Sequence, residues 1–180
     1  TVFKFSPDGE LLMTLGTPGM RGDPPNRLNE PCAVLIAPNG DILVAEGHSG
    51  QGEDPGPNVV SRISRFTKDG EFIGTIGKRG TGPGEFKTPH AMVFDSTGRL
   101  LVADRGNDRI QFLDADYNYL DEWYQFSRPS GLFIDANDML YVADGESSHD
   151  FGDGGLRPRP GAQWREWLRG IRIGSLRDGK

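Results

Sequence analysis

"PHAMVFDSTGRLLVAD", residues 89–104, decides the fold, because its pattern occurs three times. "PCAVLIAPNGDILVAE" (31–46) and "PSGLFIDANDMLYVAD" (129–144) carry the same marks. Each opens on proline, has apolar residues three and five places on, turns on polar residues at places seven to nine, and ends Val-Ala-acid. The copies begin at 31, 89 and 129, so their spacings are 58 and 40 residues. A second repeated element follows the first two copies: "RISRFTKDGEFIGTIG" (62–77) and "DRIQFLDADYNYLDEW" (108–123). The opening "TVFKFSPDGELLMTLG" (1–16) matches residues 62–77, with Phe5, Asp8, Gly9 and Glu10 recurring as Phe66, Asp69, Gly70 and Glu71.

Apolar clusters in these units are short, often alternating, and bounded by Asn-Gly, Asp-Gly or Thr-Gly, which are hairpin signals. Only "AQWREWLRG" (162–170) suggests a helix. Units of about 40 residues with four antiparallel strands predict an all-β fold, a β-propeller. The 58-residue spacing is then one blade plus the Gly/Pro/acidic insertion "GHSGQGEDPGPNVVS" (47–61).

On this reading the whole chain, 1–180, is part of one propeller domain with about three blades. Residues 1–30 hold the outer strands of one blade, 31–77 a blade with the inserted loop 47–61, and 78–128 a blade. Residues 129–180 hold a partial blade with a long loop at 145–169. An open arc would leave sheet faces uncovered at both cuts. The sequence therefore reads as a fragment of a longer protein with a processed or clipped start. Closure by oligomerisation is the alternative, and the oligomeric state stays open.

The 26 glycines and 13 prolines fit frequent turns. A net charge of −6 supplies no basic footprint for nucleic acid or an anionic membrane. No apolar run nears the roughly 18 residues of a membrane span. The single cysteine, Cys32, excludes an intrachain disulfide and leaves the redox compartment open.

In a hairpin the start of the first strand lies beside the end of the second. His90, Asp104, Arg105 and Asn107 must therefore reach one rim. Cys32 and Ser130 take the His90 position in the flanking units. Gly47 and Gly145 match Arg105, and His48 and Glu146 the next position. Both long loops leave from this rim, as binding faces of repeat proteins often do. The candidates are His48, His90, Arg105, Glu146 and His149, with Asn107 beside them. Taken alone, His90 reads more often as a hydrogen-bonded wall residue than as a metal ligand. Asp150 and Asp153 in "SHDFGDGG" suggest structural calcium without an EF-hand's ligand ladder.

Asp104 and Arg109 fall in "ADRGNDRI" (103–110), whose resemblance to the NHL-repeat consensus implies a tie between strands. "FKTPHAMVFDSTGRLLVADRGNDRIQFL" (86–113) resembles a blade of the peptidyl-α-hydroxyglycine α-amidating lyases, six-bladed NHL-type propellers. The resemblance covers roughly residues 1–144 and implies six blades in the full protein. It implies zinc as cofactor, with His90 on one of three zinc-ligating histidines drawn from alternating blades, as Cys32 and Ser130 on either side fit. It also implies that Arg105 holds a substrate carboxylate. Where that family has a catalytic tyrosine, "VAEGHSG" (44–50) places His48, a residue suited to proton transfer near neutral pH. Ser49 stands where the family has a disulfide-forming cysteine. The implied reaction is C–N cleavage of an α-hydroxyglycine-type substrate, small or peptide-derived, at the propeller axis. An extracytoplasmic location is implied as well. The competing functions are a non-catalytic NHL propeller binding a peptide or glycan, and a calcium-dependent lactonase-type hydrolase.

Overall fold

A computed structural model of the protein describes residues 1–51, 56, 59–126, 128–145, 147 and 169–178. Alternating apolar runs broken by tight turns can pair only with their sequence neighbours, and every sheet is an antiparallel meander. β1 (Val2–Phe5) and β2 (Leu11–Leu15) form a two-stranded sheet. β3 (Pro31–Ile36), β4 (Ile42–Glu46), β5 (Arg62–Phe66) and β6 (Phe72–Ile76) form a four-stranded sheet in that order. β7 (Pro89–Phe94), β8 (Leu100–Asp104), β9 (Arg109–Leu113) and β10 (Tyr119–Trp123) repeat it. β11 (Gly131–Ile134), β12 (Met139–Asp144) and β13 (Gly170–Ser175) form a three-stranded sheet. The all-β propeller reading is thus observed. The predicted helix at 162–170 lies, but for its last two residues, outside the described residues, as do Trp164 and Trp167.

The core lies between successive blades, because the central strands β4, β8 and β9 bury both faces. Leu43, Ala45 and Ile63 of one blade meet Met92, Leu100 and Val102 of the next. Leu101, Ile110 and Phe112 then meet Leu140 and Val142 one blade further on. Leu15 packs against Ile42, Val44 and Phe66. The same positions are open at the two ends of the arc. Register places Phe133 and Ile173 in the last blade where Val93 and Phe112 stand in the one before. Phe112 is 1% exposed, whereas Phe133 is 61% and Ile173 56% exposed. Phe3, Phe5 and Leu11 are likewise exposed on β1 and β2.

An acid–arginine clasp ties the second strand of each blade to the third. Asp104 Oδ2 accepts from Arg109 Nε at 2.8 Å, and neither side chain exceeds 1% exposure. Lys87 N–H, Asn107 and Gln111 also donate to this carboxylate. Arg109 donates further to Glu122 and to the carbonyls of Thr81, Gly82 and Glu85. Burial lifts the Asp104 carboxyl above its ordinary value, while Arg109, despite burial, is held above its own by the Asp104 charge. The donors around the carboxylate, Lys87 N–H, Arg109 and Asn107 among them, oppose that rise. Glu46 with Arg62, and Asp144 with Arg172, make the same pairing in the flanking blades. The structural reading of Asp104 and Arg109 is confirmed by these contacts.

The opposite rim is held by carboxylate turns. Asp95 Oδ1 accepts the Thr97 and Arg99 backbone N–H groups, each at 2.9 Å, and Arg99 Nε bonds Oδ2 at 2.6 Å. Burial pushes the Asp95 carboxyl up, but bonds from Thr97 and Arg99 outweigh it and leave the group below its ordinary 3.8. A depressed folded value contributes stability that is complete above the unfolded value and lost as pH falls through the folded one. Acid titration of stability should therefore show a limb below about pH 4 that Asp95→Asn flattens, read by denaturant midpoints across pH. Arg109→Met, which strands a buried carboxylate, should cost about 3–5 kcal/mol in urea unfolding. Adding Asp104→Asn to that variant should recover part of the loss.

Candidate functional site

The clasp sets where each blade's rim begins. Immediately after Glu46 and Asp104 the chain leaves the sheet in short 3-10 turns, His48–Gln51 and Arg105–Asn107. Sequence reasoning did not foresee these turns. Gly47 makes the first one feasible: its φ is +111°, and a Cβ there would stand 1.9 Å from the Val60 carbonyl oxygen. Gly106 is as confined, with a Cβ position 2.4 Å from the Lys87 carbonyl oxygen.

His90 occupies a β-bulge. Pro89 pairs with Asp104 and Ala91 with Ala103, so His90 is the extra residue between them. Cys32 sits in the same irregularity between Pro31 and Ala33. A bulge re-aims the side chain it carries. Half-buried His90 directs Nδ1 to the Ser130 carbonyl oxygen of the next blade at 2.7 Å. A carbonyl only accepts, so Nδ1 carries a proton. The His48 ring, from the preceding blade, lies with its centroid 5.5 Å from that of His90.

Arg105 is 4% exposed. Its backbone N–H donates to the Thr88 carbonyl at 3.1 Å, fixing the start of the turn against the strand that carries His90. Its charge acts on the Cys32 thiol across the blade boundary. Burial pushes that thiol up to about 11, with Glu30 adding to the rise and Arg105 opposing it. At neutral pH Cys32 is therefore an uncharged thiol on the wall beside the arginine.

The structure thus brings His48, His90, Arg105 and Cys32 to one rim. Asn107 is there too, but it faces inward: its Nδ2 donates to Asp104 at 2.7 Å and to the Gly80 carbonyl at 3.0 Å. Glu146 and His149, and the calcium candidates Asp150 and Asp153, lie outside the described residues. Among the described residues no group of three or more His, Cys, Asp or Glu side chains is poised to hold a metal ion. Two rim residues escaped the sequence reading. Glu30 and Thr88, each just before the blade's first proline, take left-handed backbone conformations with φ of +52° and +62°. Their carbonyls accept the N–H of Gly47 and Arg105 respectively, both at 3.1 Å. Their place before the repeated proline was the signal available.

Gly47→Ala should destabilise the protein by about 1–3 kcal/mol and weaken the His48–His90 ring contact, checked by thermal unfolding and histidine NOEs. Gly50→Ala, at ordinary φ and closest to the Ser61 hydroxyl, should cost less.

A family model described as a 6-bladed beta-propeller matches residues 61–141. Human NHL repeat-containing protein 3 is 38% identical over 118 residues, covering 64% of this chain and 32% of that protein. Peptidyl-glycine alpha-amidating monooxygenase B of Xenopus laevis is 33% identical over 121 residues, covering 63% of this chain and 13% of that protein. Among solved structures, virginiamycin B lyase from Staphylococcus aureus aligns with a TM-score of 0.53 and 14% identity. It covers 97% of this chain and 48% of its own, a likeness of fold alone. The chain spans about a third of the length of its NHL-repeat relative. Three blade-like repeats, their meander order and these matches lead to one conclusion: the chain is part of a β-propeller, similar in sequence to NHL-repeat proteins and to the amidating enzymes.

Proposed function

We propose that the full protein is a six-bladed, zinc-dependent lyase that cleaves the C–N bond of an α-hydroxyglycine-type substrate, giving an amide and glyoxylate. The observation that carries this reading is the rim itself. A histidine whose Nδ1 is committed to a backbone carbonyl has its ring 5.5 Å, centroid to centroid, from a second imidazole, on the rim where Arg105 is buried. The match to an amidating enzyme supports it.

His90 fits one ligand of a zinc site, because its backbone bond fixes the tautomer that metal-ligating histidines commonly use. The described blades supply that one histidine of an alternating-blade set, and further ligands would come from blades beyond these. When bound, zinc would supply Lewis acidity toward the substrate's oxygen. Arg105 takes the substrate carboxylate in a bidentate pair, which suits an anionic substrate despite the acidic chain. His48 accepts the hydroxyl proton as that oxygen's electrons form the carbonyl of glyoxylate. The C–N pair leaves to the amide nitrogen, which takes up a proton. Electrons and protons balance without an oxidant or reductant.

The test is zinc content and glyoxylate release on the full-length protein. Wild type should carry stoichiometric zinc and release glyoxylate from an α-hydroxyglycine peptide. His90→Ala should lose the zinc with the fold retained, and Arg105→Lys should raise KM more than it lowers kcat. Absence of both zinc and glyoxylate release from wild type would overturn the lyase reading in favour of a non-catalytic NHL propeller.

A further inference from the structure

Glu30 combines a backbone that serves the fold with a side chain that does something else. The left-handed backbone before the proline is architectural, since Thr88 repeats it one blade later with the same carbonyl contact. The side chains do different work. Thr88 Oγ1 donates to the Gly47 carbonyl at 3.3 Å, bracing the base of the 47–61 insertion from the neighbouring blade. Glu30 reaches the other way, into the turn that carries His48. Its Oε2 accepts the Ser49 backbone N–H and its Oε1 the Ser49 hydroxyl, both at 2.7 Å. Its own carbonyl accepts the Gly47 N–H at 3.1 Å. One residue therefore grips the chain immediately before and immediately after His48. Arg21 closes the arrangement with an ion pair to Glu30 Oε1 at 2.7 Å. The Ser49 hydroxyl bond, more than Arg21 or the nearby His48, holds the Glu30 carboxyl below its ordinary value against the upward push of burial. The carboxylate form that accepts these bonds thus prevails at neutral pH.

We infer that Glu30 is a positioning residue for His48, holding the 47–49 turn so that the imidazole faces His90 across the blade boundary. The inference rests on the lyase reading for its kinetic consequence, but its geometric content stands apart from activity. A turn held this way can be displaced by about an ångström when the hold is removed, and such displacements of a reacting group cost up to about a hundredfold in rate.

The test uses the full-length protein with Glu30→Ala, Glu30→Gln and His48→Ala, alone and combined, and has two arms. In the first, NOEs between the His48 and His90 ring protons are recorded with histidine-selective labelling. They should be present in wild type, retained in part in Glu30→Gln, whose amide oxygen still accepts the Ser49 N–H, and lost in Glu30→Ala. In the second, Glu30→Ala should lower kcat for glyoxylate release by roughly ten- to a hundredfold. KM should stay within about twofold with zinc retained, since the carboxylate clamp is untouched. Glu30→Ala should add nothing in a His48→Ala background, because it acts through that residue. A ring contact that persists in Glu30→Ala, or an equal loss of kcat in both backgrounds, overturns the inference. A wild type that shows the ring contact but releases no glyoxylate overturns the lyase reading, while the NOE arm still decides the role of Glu30.

Discussion

The buried acid–arginine clasp is the constraint on which this structure depends. Desolvating two charges is costly, and a buried pair persists only where further hydrogen bonds satisfy both partners. Asp104 and Arg109 meet that condition with backbone carbonyls, Asn107, Gln111 and Glu122. The consequence is geometric. The end of a blade's second strand and the beginning of its third are held together whatever the chain does between them. That connection is a short turn between Asp104 and Arg109, an insertion between Glu46 and Arg62, and longer still between Asp144 and Arg172. Loop length on this rim can therefore vary without disturbing the sheets.

The same constraint explains why the chemistry collects where it does. Residues directly after the clasp acid are held by the clasp on one side and released from the sheet on the other. Gly47, His48 and Arg105 occupy these places. Opposite them, β3 and β7 each begin with a proline and a bulge, which turns Cys32 and His90 out of the regular alternation. Contacts across the blade boundary complete the rim: His90 with the Ser130 carbonyl, Thr88 with the Gly47 carbonyl, and the charge of Arg105 on Cys32. Neighbouring blades both contribute to this rim, so the candidate site depends on their stacking.

Stacking also accounts for the apolar ends of the arc. Val93 and Phe112 lie beneath the following blade, while their counterparts Phe133 and Ile173 carry aromatic and aliphatic side chains on an open face. Phe3 and Phe5 do the same at the other end. These residue types suit blade-to-blade packing, where burial of apolar area supplies the main stabilisation.

The all-β architecture, the blade period and the placing of His48, His90 and Arg105 on one rim were legible in the sequence. Repeats, period-two alternation and turn residues are local signals, and antiparallel pairing follows from them. The clasp of Asp104 and Arg109 was legible too, through the resemblance of "ADRGNDRI" to the NHL-repeat consensus. Only the tertiary structure decided what surrounds those residues. That His90 sits in a bulge, that Asn107 turns inward to Asp104, and that Glu30 grips both sides of His48 depend on contacts between segments far apart in the chain. Strand pattern sets which residues share an edge. Side-chain direction and hydrogen-bond partners are set by bulges, left-handed residues and neighbouring blades, which leave no period in the sequence.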